Sequence, residues 1–231
     1  AALSEINTGQ DKIITIEDPV EYQLPGILQI PVNDKKGLSF ARGLRSILRH
    51  DPDKIMVGEI RDRETAEIAV QSALTGHLVL STVHANSVFD VFGRFPHMGL
   101  DPYAFASALN GVWAQRLIRI NCPHCRQAYQ PNATELGRSK LSFTEVENFH
   151  FMRGQGCGDC HGTGYKGRRA IAEVLLLDDT LRELIVEKRP VRQIKEFAFN
   201  AGTRTLAQAA LDLVAQGETT LEELRRVTLS G

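Results

Sequence analysis

Three short apolar runs, Lys12–Ile16, Ile55–Val57 and Leu78–Thr82, each end in polar or charged residues and are separated by stretches with helical apolar spacing. Strand–helix–strand alternation of this kind implies an α/β fold built on a mainly parallel sheet with helices on both faces. All strands of a parallel sheet end at the same edge, and ligands bind outside that edge. The three runs deliver to it Glu17-Asp18-Pro19-Val20-Glu21-Tyr22, then Gly58-Glu59 and a charged loop, then Val83-His84-Ala85-Asn86. Taken singly, Glu17 and Asp18 read as an acidic turn and His84 as a structural histidine. Converging beside Glu59, they have a chemical reading. A carboxylate at a buried strand end can hold a magnesium shell or orient an attacking water, and a histidine can report on a terminal phosphate.

The intervening helices follow from local signals. Ser39 is a good N-cap, and Phe40, Leu44, Ile47 and Leu48 form an apolar face. Arg42, Arg45 and Arg49 make a basic stripe on another face. Such a stripe is commonly a solvated surface; the functional alternative is a phosphate or a neighbouring subunit's carboxylates. Ala66, Ala69, Val70, Ala73 and Leu74 line the buried side of the helix after Glu59, which Gly76 ends. Leu78–Thr82 reads as a buried strand. A further helix is expected over Phe105–Ile118, with Leu109, Val112, Trp113 and Leu117 in the core. At the N-terminus, Leu3 and Ile6 share a helical face with Gly9 as its stop. Together with a first residue that is not Met, this reads as the tail of a helix in a fragment whose N-terminal part is missing.

Cys122-Pro-His-Cys125 and Cys157-Gly-Asp-Cys160 are two knuckles whose thiolates can complete one tetrahedron. Paired C-x-x-C motifs argue for metal in a reducing compartment rather than for disulfides. A closed four-cysteine zinc site is structural, and it would pin a polar, irregular insert. His124 and His161 are the substitute ligands. The stretch Gly162-Thr-Gly164-Tyr-Lys-Gly167 matches G-x-G-x-x-G but follows a knuckle and precedes a strand-like run from Ala170. The dinucleotide reading needs the opposite order, so these glycines are turn residues. Toward the C-terminus Leu181, Leu184 and Ile185 share one helical face. Leu206, Ala210, Leu213 and Val214 share another, closed by Gly217, and Thr220-Leu-Glu-Glu223 is a capping box opening the last helix.

A net charge of −1 gives no case for bulk nucleic-acid binding, and no apolar run is long enough to span a membrane. A cytoplasmic chain, peripheral to a membrane through partners, fits this. The motifs divide the chain into 1–120, an α/β core with the three strand-end motifs; 121–168, a tetracysteine zinc module; and 169–231, a small helical domain.

At this point the motifs resemble those of the secretion ATPases that drive type II secretion and type IV pilus assembly. Ile16 to Tyr22 resembles their acidic box, Met56 to Asp62 their Walker B motif, and Thr75 to Asn86 their histidine box. The cysteine pairs resemble the tetracysteine module of assembly ATPases, which pilus-retraction relatives generally lack. The resemblance covers essentially the whole chain, with the motifs in the family's order. It implies a RecA-like core, partial here, working as a homohexameric ring. That ring would couple ATP hydrolysis to pilus or pseudopilus assembly with a platform at the bacterial inner membrane and cytoplasmic components of the machine, and without nucleic acid.

Residue by residue, the resemblance makes Glu59 the acid that positions water and magnesium, Glu17 and Asp18 second acids near magnesium, and His84 the sensor of the terminal phosphate. Arg42, Arg45 and Arg49 match arginines next to the acidic box. ATP and Mg2+ would serve the parent protein, and Zn2+ the cysteines. The family's P-loop, G-x-x-x-x-G-K-[ST], is nowhere in the 231 residues. In the family it stands just upstream of residues like Ala1 to Gly9. Without its backbone N–H groups and lysine the phosphates lose their main cradle, so the chain alone is expected to bind ATP weakly and not turn it over. The absence of that strand is also expected to leave a sheet edge open. The alternative is a degenerate, non-catalytic adaptor that binds partners through a zinc-stapled module. A zinc-ribbon nucleic-acid protein is a third reading, disfavoured by the neutral charge.

Overall fold

A computed structural model describes residues 2–228. In chain order its first elements are α1 (Ala2–Ile6), β1 (Ile13–Glu17), β2 (Leu28–Pro31), α2 (Phe40–Ile47), β3 (Lys54–Val57), α3 (Arg63–Leu74) and β4 (Leu78–Ser81). Next come α4 (Val91–His97), α5 (Pro102–Ala108), β5 (Gly111–Asn121), β6 (Arg126–Ala128), α6 (Ala133–Arg138), β7 (Met152–Gly154) and β8 (Tyr165–Leu176). The helices α7 (Asp179–Val186), α8 (Val191–Asn200), α9 (Leu206–Ala215) and α10 (Leu221–Thr228) follow. The chain packs into two compact units. One comprises residues 2–85, Phe89–Asn110 and Leu177–Phe197; the other comprises Asn86–Val88, Gly111–Leu176 and residues 198–228. Packing thus groups the chain differently from the motif-based segments 1–120, 121–168 and 169–231.

The first unit is a four-stranded, wholly parallel sheet in the order β2-β1-β3-β4. Ile13, Ile14, Thr15 and Ile16 of β1 are all buried, as a central strand of β-branched residues requires. Ser39 caps α2 by accepting from Arg42 N, and Asp62 caps α3 by accepting from Thr65 N. Gly43 lets α2 sit directly on β1, since a Cβ there would fall 1.9 Å from Ile16 Cδ1. The two helices pack against each other and so share one face of the sheet. Both crossovers travel the same way across the sheet, β2 to β3 and β3 to β4, and crossovers of one hand then put both helices on one side. Lys54 Nζ ties the start of β3 to the chain's beginning, donating to Ile6 O at 2.8 Å and Asp11 Oδ2 at 2.7 Å.

Several expectations are corrected. The run Leu78–Thr82 is not buried: β4 is an edge strand, with Leu78 exposed, and Leu74 at the end of α3 is exposed too. Helix α1 ends at Ile6, three residues before Gly9, which instead takes a left-handed turn (φ +78°). The helix expected over Phe105–Ile118 stops at Ala108, and β5 begins at Gly111. Trp113 and Leu117, expected in the core, are 59% and 52% exposed. A spacing of three and four residues fits the apolar positions there, but pairing with β8 from Gly111↔Leu176 to Asn121↔Tyr165 imposes a period of two.

The second unit is built on this long β5–β8 ribbon. Ile118 and Ile171 from the ribbon, Leu206, Ala210, Leu213 and Val214 from α9, and Leu221, Leu224 and Val227 from α10 form one apolar cluster. Leu136, Val146 and Phe151 of the insert between the cysteine pairs belong to the same cluster, so that insert is ordered by its own apolar residues as well as by the knuckles. It contains α6, with an Asn132–Glu135 capping box, and the antiparallel pair β6–β7. The capping box expected at Thr220–Glu223 is half made. Glu223 N donates to Thr220 Oγ1 at 3.2 Å, but the Glu223 carboxylate turns to Arg119 and Arg226 instead.

Candidate functional site at the carboxyl edge of the sheet

Parallel pairing brings the ends of β1, β3 and β4 level, with Ile16, Val57 and Ser81 in register. Past β3 the edge is held by backbone. Gly58 N donates to Ile16 O at 2.7 Å, Thr82 Oγ1 donates to Gly58 O at 2.6 Å, and Ile60 N donates to Thr82 O at 3.0 Å. A side chain at position 58 would be crowded: its Cβ would lie 3.1 Å from Ile16 O and 3.2 Å from Glu17 Cα. Glycine therefore lets β3 leave the sheet tight against β1 and carry Glu59 into the edge.

Glu59 is only 12% exposed at its side chain. Its Oε2 accepts from Arg61 Nε at 2.6 Å. Its Oε1 lies 2.9 Å from His84 Nε2, yet the approach is not aligned as a hydrogen bond, and this buried oxygen is unsatisfied among the described residues. A buried carboxylate oxygen without a donor is costly and is the kind of atom a cation or an ordered water completes. Asp18 joins the group through Arg61, whose Nη1 lies 3.6 Å from Asp18 Oδ2. Sequence reasoning gives Arg61 no role in the site. Its only signal is its place two residues after Glu59, which does not reveal that its guanidinium bridges two acids.

The other candidate residues are placed differently. Glu17 turns toward β2, where its Oε1 accepts from Gln29 Nε2 at 2.9 Å and from the Thr15 hydroxyl. Arg42 lies over the turn at Gly37, its Nη1 2.9 Å from where a Cβ there would stand. Arg45 pairs with Glu64 at 2.6 Å. Arg49 lies beyond the end of α2, on the approach to β3, and hence toward the opposite edge of the sheet from Glu59. The edge thus gathers Glu59, Asp18, Arg61 and His84, while the arginine stripe does not reach it as a set.

The second unit holds a separate cluster. The sulfurs of Cys122, Cys125, Cys157 and Cys160 all lie within 4.8 Å of one another. The separations are 3.8 Å for Cys122–Cys157, 3.9 Å for Cys125–Cys160 and 3.7 Å for Cys157–Cys160. Bonds of about 2.3 Å to a tetrahedral ion put its sulfur ligands about 3.8 Å apart, so the four cysteines could hold a metal ion. Burial disfavours ionisation of Cys160, but N–H groups of Cys157 and Gly164 at 3.2 and 3.3 Å override it and bring the thiol down to about 6. Burial pushes Cys125 up to about 11. The chain on the two sides of the second knuckle meets at glycines: a Cβ on Gly154 would sit 2.0 Å from Gly164 O. Neither histidine joins the cluster. His124 faces Asp159 at 3.4 Å, and His161 takes a left-handed turn position after the second knuckle.

The family model described as "Type II/IV secretion system protein" matches residues 1–226. The chain belongs to this family. It is 48% identical over 227 residues to the type IV pilus assembly ATPase PilB of Thermus thermophilus, covering 98% of this chain and 26% of that protein. It is 45% identical over 228 residues to the type II secretion system protein E of Pseudomonas aeruginosa, covering 99% of this chain and 45% of that one. Among solved structures, the pilus retraction motor PilT with bound ADP superposes with a TM-score of 0.67 at 29% identity, over 94% of this chain and 52% of that chain. The ATPase DotB of Legionella pneumophila gives a TM-score of 0.68 at 20% identity, over 100% of this chain and 55% of that chain, a likeness of fold. The chain therefore spans less than half the length of these two curated relatives. Among the described residues of this secretion-family chain, no helix is long and apolar enough to cross a membrane.

Proposed function

We propose that this chain is the C-terminal part of an ATPase that powers pilus or pseudopilus assembly and protein secretion. The observation that carries the reading is Glu59, a nearly buried carboxylate with one oxygen unsatisfied and the His84 imidazole 2.9 Å away. In this role Glu59 would orient the attacking water and hold the magnesium shell of bound nucleotide, and Asp18 would add negative charge toward the cation, while Glu17, turned to Gln29, stands back from it. His84, poised against Glu59, contacts the terminal phosphate and so distinguishes ATP from ADP. Arg61 holds Glu59 and Asp18 in place. Of the basic stripe, Arg42 stands nearest the carboxyl edge by its position in the first turn of α2 and is the best phosphate candidate of the three.

The phosphate cradle must come from chain outside these 231 residues, which contain no P-loop. The 231-residue chain alone is accordingly inactive in this proposal, and the full-length protein works as a homohexamer peripheral to the inner membrane, docked on a platform there. The cysteines hold structural zinc. The test is Glu59→Gln in the full-length protein. ATP binding is expected to persist while turnover falls about a hundredfold or more, the size of effect seen when a group acting on the transition state is lost. Unchanged turnover would remove Glu59 from the mechanism. Magnesium-dependent hydrolysis by the isolated 231-residue chain would refute its inactivity.

A further inference from the structure

His84 has little to hold it in place. Its side chain is 83% exposed, and it sits in an irregular loop three residues beyond the end of β4. Where an exposed imidazole can reach is set first by where its backbone is held, which also biases its rotamers. Among the described residues the backbone of His84 is held by a long side chain: Arg94 Nη1 donates to His84 O at 2.7 Å. Arg94 stands on α4, which is anchored by buried Val91, Phe92 and Phe95, the last stacked on Phe105 with ring centroids 4.6 Å apart. The guanidinium is drawn inward far enough that its Nε is buried with no acceptor among the described residues. A charged donor left unsatisfied is unfavourable for folding. What its burial gains is a hydrogen bond to the carbonyl of the residue that faces Glu59.

We propose that Arg94 is a positioning residue for ATP hydrolysis, fixing the His84 backbone so that the imidazole presents Nε2 to Glu59 and to the terminal phosphate. The proposal rests on the ATPase reading above. Arg94 touches neither Glu59 nor, in this proposal, the nucleotide, so its effect passes wholly through His84. A displacement of about 1 Å at a group contacting the reacting centre is enough to change a rate by one to two orders of magnitude.

The experiment is a double-mutant cycle on steady-state MgATP hydrolysis by the full-length protein, with wild type, Arg94→Ala, His84→Ala and the double variant. Arg94→Ala is expected to reproduce the kcat and KM changes of His84→Ala, lowering kcat about tenfold or more, and to add less than about twofold in the His84→Ala background. Arg94→Lys, which keeps the charge and a donor, is expected to recover part of the rate. It also serves in the cycle if Arg94→Ala does not fold, as judged by thermal unfolding. Arg94 variants with wild-type kcat, or single effects that multiply in the double variant, would overturn the proposal while leaving the ATPase reading intact. A wild-type protein that does not hydrolyse ATP, or a silent His84→Ala, would overturn the underlying reading and this proposal with it, without any Arg94 variant being needed.

Discussion

His84 Nε2 stands 2.9 Å from Glu59 Oε1, an exposed imidazole against a nearly buried carboxylate. The proximity is made by backbone: Thr82 reaches across to Gly58 O, and Gly58 N reaches Ile16 O, so the ends of three strands are drawn into one plane. Gly58→Ala should break this. The added Cβ meets the carbonyl of Ile16 at 3.1 Å and the backbone of Glu17 at 3.2 Å, and backbone does not yield as a side chain does. We expect a loss of about 1–3 kcal/mol in unfolding free energy by urea titration, together with a fall in ATP turnover by the full-length protein. A variant of wild-type stability would show that the strand ends are not as tightly joined as the geometry implies.

Thr82→Val tests the same junction more gently. It removes one hydroxyl that donates to Gly58 O at 2.6 Å and keeps the β-branched shape. The expected loss is about 1 kcal/mol, the usual contribution of one hydrogen bond. Because the carbonyl at Gly58 leads directly into Glu59, turnover should fall by more than stability alone accounts for at temperatures where the variant is fully folded. A rate unchanged under those conditions would mean that Thr82 serves the sheet and not the site.

The Arg119–Glu223–Arg226 group sets a pH limit for the second unit. Burial pushes the Glu223 carboxyl up, but hydrogen bonds from Arg226 and Arg119 override it and hold it at about 2, against an ordinary 4.5. Arg119 Nε and Arg226 Nε both donate to Oε1 at 2.8 Å, and Arg119 N donates to Oε2 at 2.9 Å. A depressed carboxyl pKa adds stability that is complete above the unfolded value and is lost as pH falls through the folded one. Stability should therefore decline between about pH 5 and pH 2, by roughly 3 kcal/mol from this group. Glu223→Gln should remove that slope. It should also destabilise the protein at neutral pH by about 1–3 kcal/mol, since a buried amide replaces the carboxylate while the two arginines stay partly solvated. Parallel pH profiles for wild type and variant in chemical denaturation would assign the acid limb elsewhere.

How much of this is legible in the sequence depends on how far each feature reaches along the chain. β1, β3, α2 and α3 follow from local patterns: β-branched runs, Ser39 as a cap, an apolar face of Phe40, Leu44 and Ile47, and the alanine-lined side of α3. The convergence of Glu59, Asp18 and His84 follows from parallel topology alone. What escapes a reading of the sequence is set by distant partners. Nothing within Leu78–Ser81 tells that β4 closes the sheet as an edge. Trp113 and Leu117 fit a helical stripe until β8 arrives to pair with them. Glu223 has the right spacing for a capping box with Thr220, but Arg119, 104 residues earlier, offers a charged partner that a backbone N–H cannot match. Adjacency groups Glu17 with Asp18, yet neighbours in a strand point to opposite faces, and Gln29 of β2 takes Glu17.

The four cysteines give the last prediction. Their sulfurs already lie at 3.7 to 3.9 Å in the pairs that close the cluster, a spacing that zinc needs and that four neutral thiols do not require. The backbone around the second knuckle is close-packed too: Gly154 against Gly164 admits no side chain, and Cys122 N donates to Gly164 O at 2.9 Å, tying the first knuckle to the second. The purified protein should carry one equivalent of zinc per chain by metal analysis. Cys122→Ser should lose it and lower the unfolding midpoint, because metal binding to a site absent from the unfolded chain contributes directly to folding. The insert should not unfold alone. Leu136, Val146 and Phe151 share the cluster of α9 and α10, so loss of metal should loosen those helices too, visible as faster amide exchange in Leu206–Ala215. A Cys122→Ser protein that retains a full equivalent of zinc would place the metal elsewhere. Exchange that rises only between the knuckles would show that the apolar cluster holds without them.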